Sequence, residues 1–109
     1  MRVVIAGAGI AGLSTALSLD AAGLPDVTVA EAAAEIRPLG AGVTLLPNAV
    51  RELAALGLGD ALTIIARPIS ELAYYAPDGR LIWREPRGPL AGHRWPQLAV
   101  HRGRMQMLL

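Results

Sequence analysis

Short apolar runs alternate with a helical pattern at the start of the chain. Val3 to Ala6 is an uninterrupted apolar run that ends at a glycine-rich segment, as expected for a buried parallel strand. Apolar and small residues then recur with helical spacing from Ile10 to Ala22, and Gly23 and Pro25 end that helix. Val27 to Ala30 is short and β-branched, which predicts a second strand. Strand, helix and strand within about thirty residues predict a right-handed βαβ unit.

Two further helices are predicted in the middle of the chain. Pro47-Asn48 opens a helix that runs through Leu56 and is closed by Gly57, and we expect Asn48 to cap it. A second short helix is predicted from Asp60 to Ala66, because Pro68 cannot continue it. The segment Gly40-Ala41-Gly42, ahead of both helices, is expected to form a flexible loop.

The pattern then changes to strands. Ile69 to Ala76 and Arg80 to Arg84 predict strands joined by Pro77-Asp78-Gly79, and Asp-Gly between such runs is a strong hairpin signal. Gln97 to His101 predicts another strand, and a helix begins at Arg102 and runs to Leu109. This last helix carries apolar residues for which the sequence offers no packing partner. We therefore expect the chain to be the N-terminal part of a longer α/β protein.

Composition narrows the class of protein. The chain has 109 residues, of which 53% are hydrophobic and 17% charged, so it forms one domain at most and is not intrinsically disordered. Its ten basic residues are scattered among nine acids, which leaves no basic stripe for nucleic acid. Aromatic residues total 4%, too few for base-stacking platforms.

The sequence contains no cysteine and no stretch typical of a membrane-spanning helix. Without cysteine there is no disulfide scaffold, no cysteine-ligated zinc site and no thiol nucleophile, and we expect a cytoplasmic protein. The uncharged stretch Val3 to Leu19 falls short of a membrane-spanning helix and is interrupted by three glycines. We therefore expect neither a cleaved signal peptide nor a membrane anchor.

The segment between the first strand and the first helix carries the sharpest motif, Gly7-Ala8-Gly9-Ile10-Ala11-Gly12. Gly-x-Gly-x-x-Gly in this position is typical of dinucleotide binding. Gly7 allows the tight turn, Gly9 lets a diphosphate approach the backbone, and Gly12 lets helix and strand pack closely. The diphosphate then meets free N–H groups at the positive end of the helix dipole.

Glu31 ends the second strand, at the position where a carboxylate accepts hydrogen bonds from the adenosine ribose. The same carboxylate would repel a 2′-phosphate, which disfavours NADP at this site. The motif does not separate FAD from NAD, because both cofactors present an ADP half.

Three stretches, taken in order, resemble a known family. They are the glycine motif with Glu31, the segment from Glu35 to Val43 that continues through Leu46-Pro47-Asn48-Ala49 to Leu58, and the segment from His101 to Leu109. The sequence resembles the single-component FAD-dependent aromatic hydroxylases related to p-hydroxybenzoate and salicylate hydroxylase. Within that family, Glu35 to Gly40, Trp83 to Gly88 and Pro96 to Leu108 resemble the phenazine hydroxylases that act on 5-methylphenazine-1-carboxylate.

The resemblance implies a Rossmann-like FAD-binding βαβ unit plus a β-hairpin, as an incomplete fragment of a larger flavoprotein monooxygenase. It implies FAD as cofactor, NADH or NADPH as co-substrate and a small aromatic substrate, with oxygen transfer carried by the flavin. The second flavin motif and the substrate domain fall outside residues 1–109. We assign no catalytic residue and no metal ligand here, and expect this segment alone to be inactive.

The resemblance also implies which residues contact FAD. Arg102 would reach the cofactor near the diphosphate or ribityl chain, and the backbone at Gly40 to Gly42 would pass close to the flavin. The expected contacts are Gly7, Ala8, Gly9, Ile10, Ala11, Gly12, Glu31, Ala32, Arg37, Gly40, Ala41, Gly42 and Arg102.

Other interpretations remain open at this point. The chain could belong to an FAD oxidase or an NAD-linked dehydrogenase that shares only the βαβ unit. It could also be a non-catalytic, truncated nucleotide-binding module. Arg37 and Arg102 could be solvated surface cations. The sequence does not predict an oligomeric state.

Overall fold

The computed structural model describes residues 1–109, which divide into two compact units. The first unit is discontinuous in sequence, because it combines Met1–Ala41 with His101–Leu109. The second unit is the intervening stretch, Gly42–Val100. None of the helices is both long and apolar enough to cross a membrane.

The first unit contains the predicted βαβ arrangement, made of β1 (Val3–Ala6), α1 (Ile10–Ala21) and β2 (Val27–Ala30). The two strands pair in parallel along their whole length. Side chains alternate between half-buried and exposed positions on both strands, as the two-residue period of a strand requires. Gly23 follows α1 with a φ of +79°, which confirms the predicted stop.

The second unit contains two helices, a three-stranded sheet and a hairpin. In chain order its elements are β3 (Gly42–Leu45), α2 (Pro47–Ala55), α3 (Gly59–Ile65), β4 (Ala66–Ile69), β5 (Glu71–Tyr75), β6 (Leu81–Pro86), a 3-10 helix (Gly88–Ala91) and β7 (Gln97–His101). The sheet has the order β3-β7-β4, with β4 antiparallel to β7. The buried apolar core of the second unit combines residues of this sheet and of the two helices: Leu45, Val50, Leu53, Leu62, Ala66, Leu98 and Val100.

The predicted hairpin is confirmed. β5 and β6 pair antiparallel, and Gly79 has a φ of +86° in the turn between them. The carboxylate of Asp78 accepts a hydrogen bond from the Arg80 amide at 3.0 Å, so the aspartate stabilises the turn that it signals. Trp83 lies opposite Tyr74 across the hairpin, and both rings are more than half exposed.

The boundary between α3 and the strands differs from the prediction. The helix ends at Ile65 and Ala66 already begins β4, so the single strand predicted from Ile69 to Ala76 is divided between two sheets at Ser70. Pro68 lies inside β4, which is an edge strand paired only with β7. An edge strand tolerates proline because one side of its backbone has no strand to bond.

Two predictions at the start of the second unit are also wrong. Asn48 does not cap α2, because the helix starts one residue earlier at Pro47, with Leu46 in the capping position and no side-chain capping bond. Gly42 begins β3 and is therefore strand, whereas the sequence predicted a flexible loop there.

The last helix, α4 (Arg102–Leu108), packs inside the first unit, so the expectation that it has no packing partner is wrong. Met105 is completely buried, and α4 contacts α1. Nδ1 of His101 accepts a hydrogen bond from the Arg104 amide at 3.4 Å and caps the helix. Gly103 is buried, and a Cβ there would lie 2.6 Å from the Leu39 nitrogen and closer still to the Pro38 carbonyl.

Gly103→Ala is therefore expected to lower the free energy of unfolding by about 1–3 kcal/mol, because the added methyl group overpacks a backbone contact. Gly59→Ala is the matched control, since its Cβ would meet the Ala54 side chain at an ordinary 3.5 Å within a helix. We expect that control to be neutral or up to about 1 kcal/mol more stable. Urea denaturation of both variants measures the difference, and equal effects would contradict the packing described for α4.

Candidate functional site

The turn between β1 and α1 contains three motif glycines, each with a separate physical role. Gly7 has a φ of +101°, a conformation that favours glycine. A Cβ at Gly12 would overlap the Gly7 carbonyl oxygen and lie 3.3 Å from the Ile5 side chain, so helix and strand meet there directly. At Gly9 nothing lies within 4 Å of the Cβ position. The space beside Gly9 is therefore open to a ligand.

The helix that follows begins without a capping side chain. Gly9 occupies the capping position, no side chain accepts a hydrogen bond from the first turn, and no acidic residue lies in that turn. The N–H groups at Ile10, Ala11 and Gly12 are thus left for water or a ligand. Free amides together with the positive end of the helix dipole favour an anion such as a phosphate.

Glu31, just after β2, points back at the same turn. Its Oε2 accepts a hydrogen bond from the Ala8 amide at 2.7 Å, and its Oε1 accepts one from the Ala33 amide at 2.8 Å. The amide hydrogen bonds from Ala33 and Ala8 hold the pKa of Glu31 below its ordinary value, against a smaller opposing effect of burial. Each carboxylate oxygen retains a second lone pair, so the group can still accept a hydroxyl hydrogen bond.

Arg102 is positioned by the backbone before it. Its amide donates to the Ala41 carbonyl at 2.8 Å, and a Cβ at Gly40, where φ is +117°, would lie 3.2 Å from the Arg102 Cδ. The guanidinium of Arg102 takes part in none of the ion pairs of the structure, whereas that of Arg37 is paired with Glu35. Arg102 is therefore the cation better placed to bind a phosphate.

These groups border one open cavity of about 500 Å³ in the first unit. Its lining residues are Gly9, Glu31, Ala33, Ala34, Glu35, Ile36, Arg37, Leu39, Arg102 and Gln106. Four predicted site residues, Gly9, Glu31, Arg37 and Arg102, thus meet at one cavity although the sequence separates them widely.

The other predicted site residues lie around this cavity or away from it. The residues of the adjoining turn and first helical turn are Gly7, Ala8, Ile10, Ala11 and Gly12. Ala32 directly follows Glu31 in the chain, the Ala41 carbonyl accepts a hydrogen bond from the Arg102 amide, and a Cβ at Gly40 would lie against the Arg102 side chain. Gly42 does not line the cavity and belongs to the second unit.

Sequence reasoning missed Gln106. This side chain lines the cavity, and its Nε2 donates a hydrogen bond to the Ala8 carbonyl at 2.8 Å. One signal was available, because Gln106 follows Arg102 by four residues and so shares its face of the helix. Gly103 was missed in the same way, and a glycine within a helical pattern often has a packing reason.

The chain is similar in sequence to proteins that bind or depend on FAD. Residues 2–39 match the FAD binding domain family. The chain is 52% identical over 107 residues to the phenazine 1,6-dicarboxylic acid hydroxylase PhzS of Lysobacter antibioticus, a match that covers 98% of this chain and 26% of that protein. The chain is homologous to the FAD-dependent aromatic hydroxylases.

Solved hydroxylase structures share the fold. The structure of Klebsiella pneumoniae HpxO complexed with FAD and uric acid matches with a TM-score of 0.78 and 32% identity, over 98% of this chain and 27% of that one. p-Nitrophenol 4-monooxygenase PnpA from Pseudomonas putida DLL-E4 matches with a TM-score of 0.85 and 28% identity, over the same shares. The predicted fold class, the resemblance to FAD-dependent aromatic hydroxylases and FAD as the cofactor are thereby confirmed, and the chain spans about a quarter of the length of these hydroxylases.

The hydrogen bonds at Glu31 give stability a pH dependence. Because the folded chain lowers the Glu31 pKa, the unfolded chain takes up the proton first as pH falls. The stabilising contribution is therefore complete above the ordinary pKa of 4.5 and is lost as pH falls through the lower folded value. Glu31→Gln is expected to flatten the decline of stability with acid.

The measurement is the free energy of unfolding in urea at several values between about pH 3 and pH 6 for the two proteins. If the free energy of unfolding declines equally steeply with falling pH in Glu31→Gln and in the parent chain, Glu31 does not contribute to the pH dependence of stability.

Proposed function

We propose that the cavity beside the glycine turn binds the ADP half of FAD. We further propose that the chain is the FAD-binding part of a monooxygenase that hydroxylates a small aromatic substrate with NADH or NADPH and O₂. The observation that carries the proposal is the open space at Gly9, next to the uncapped start of α1 and within reach of Glu31.

The residues fit the chemical groups of an ADP moiety. The diphosphate would lie against the free amides of Ile10 and Ala11, where the lack of a Gly9 side chain lets it approach the backbone. The Glu31 carboxylate would accept hydrogen bonds from the ribose hydroxyls, and its amide partners hold it in place for this. The Arg102 guanidinium would neutralise phosphate charge, because no carboxylate competes for it.

When bound, FAD supplies the electron transfer from the nicotinamide and the activation of oxygen. The described residues supply binding, orientation and charge, and none of them is assigned a proton-transfer role. Glu31 would also disfavour a dinucleotide with a 2′-phosphate at this site, by charge repulsion at short range.

The substrate class is proposed from the relatives. They act on a phenazine dicarboxylic acid, urate and p-nitrophenol, according to their names, and all three are compact planar rings. The 52% identity to the phenazine hydroxylase favours a phenazine carboxylic acid as the substrate of this protein. A cytoplasmic location and the absence of a nucleic-acid partner remain predictions.

Substitution at Gly9 tests the cofactor site directly. Gly9 has a φ of −72° and open space around its Cβ position, so Gly9→Val is expected to fold like the parent. The valine side chain would occupy the diphosphate position, and we expect FAD affinity to fall by about a hundredfold or more, equivalent to about 2.7 kcal/mol.

Thr15→Val serves as the control, because this exposed residue lies on the same helix outside the cavity. Flavin fluorescence quenching measures the affinity, and circular dichroism checks the fold. Undiminished FAD binding by a folded Gly9→Val chain would refute the proposed site. Loss of binding in Thr15→Val as well would show that the effect is not specific to the turn.

A further inference from the structure

The carbonyl of Ala8 is held by a side chain from the far end of the sequence. Gln106 Nε2 donates a hydrogen bond to this oxygen at 2.8 Å, in a partly buried position. The N–H of Ala8 donates to Glu31 Oε2 at 2.7 Å. The two peptide groups that flank Ala8 are therefore both fixed from outside the turn, one by the residue after β2 and the other by α4.

The turn depends on such external hydrogen bonds because its own residues do little to restrict its backbone conformation. Gly7 and Gly9 have no side chains, and nothing lies within 4 Å of a Cβ at either position. Glycine backbone moves easily between conformations. In a planar trans peptide the C=O and N–H groups point in opposite directions, so the direction of the Ala8 carbonyl sets that of the Gly9 amide.

Rotation of this one peptide would change the electrostatics of the site. It would turn the Gly9 N–H away from its present direction, and the Ala8 carbonyl oxygen would then point in that direction instead. At the start of α1 a carbonyl oxygen would oppose an anion that the free amides attract. The hydrogen bond from Gln106 works against this rotation.

The helix that carries Gln106 is itself firmly placed. Met105 is completely buried, Gly103 lies against the Pro38 carbonyl, and the Arg102 amide bonds to Ala41. Gln106 therefore reaches the turn from a fixed helix, which makes its restraint on Ala8 effective.

We propose that Gln106 is a positioning residue that holds the Ala8–Gly9 peptide in the orientation that receives the diphosphate. The inference rests on the proposed function, since it concerns the same cofactor site. Gln106 would raise cofactor affinity by preorganising the turn, because its amide hydrogen is already committed to the Ala8 carbonyl.

Removal of the donor is the first test. Gln106→Leu introduces an apolar side chain of comparable volume that cannot donate, and we expect affinity for both ADP and FAD to fall about three- to tenfold. Met107→Leu is the matched control, because this neighbour on α4 is exposed and absent from the cavity lining. It should bind both nucleotides as the parent chain does.

Rescue of the donor is the second test and separates positioning from a general loss of structure. Gln106→Glu keeps the side-chain shape; ionised, it faces the Ala8 carbonyl oxygen without a proton, and protonated, it can donate. Its ADP affinity, divided by that of the parent at the same pH, is expected to rise towards one as pH falls from about 7 to about 4, a range that spans the ordinary pKa of a glutamate side chain. The other charged groups at the cavity are common to both proteins and cancel in this ratio; they are Glu31, Glu35, Arg37 and Arg102.

The outcomes are distinguishable. A parent chain that binds neither ADP nor FAD would remove the proposed function, and the inference with it. A parent that binds both, with Gln106→Leu binding equally well, would overturn the inference and leave the cofactor site standing. If Gln106→Leu fails to fold, the pH series on Gln106→Glu decides: recovery supports the inference, and weak binding at both ends of the range overturns it.

Discussion

Direct contact between α1 and the end of β1 is the constraint on which the first unit depends. The helix can begin there only because position 12 carries no side chain, since a Cβ would overlap the Gly7 carbonyl. This contact brings the first amides of α1 to the carboxyl end of the strands, the edge at which open α/β sheets bind their ligands. The proposed diphosphate contacts at Ile10 and Ala11 depend on that placement.

Glu31 has a structural role besides its proposed role in ribose binding, and a sequence motif does not separate the two. Its carboxylate ties the glycine turn to the residues after β2 through the amides of Ala8 and Ala33. The same bonds orient the group that would grip the ribose, so the ligand-binding side chain is itself part of the local structure. Turn geometry and the proposed sugar recognition would thus depend on one side chain, and we expect substitution of Glu31 to alter both.

The parts of the fold that local chemistry dictates could be predicted from the sequence. The βαβ unit follows from apolar periodicity and glycine placement, and the β5–β6 hairpin follows from Asp78-Gly79. The strand containing Pro68 could not be predicted, because its tolerance for proline depends on lying at a sheet edge. The capping position of α2 was missed because proline at the first helical position displaced Asn48 into the helix.

The site shows the same division between local and distant information. Gly9 and Glu31 were predicted from the dinucleotide-binding pattern of the βαβ unit, whereas Arg102 was expected at the cofactor through resemblance alone. Gln106 and Gly103 act through contacts with Ala8 and Pro38, which lie far away along the chain. No local sequence pattern predicts such partners, because hydrophobic periodicity indicates which face of a helix is buried and not which residues that face contacts.

The discontinuity of the first unit has a consequence for biosynthesis. Residues 1–41 lack α4 until the ribosome has made the entire second unit and the segment after it. During that interval the surface that Met105 later covers is exposed to water, and the glycine turn lacks its contact from Gln106. The first unit therefore cannot be completed until the whole of the second unit has been synthesised.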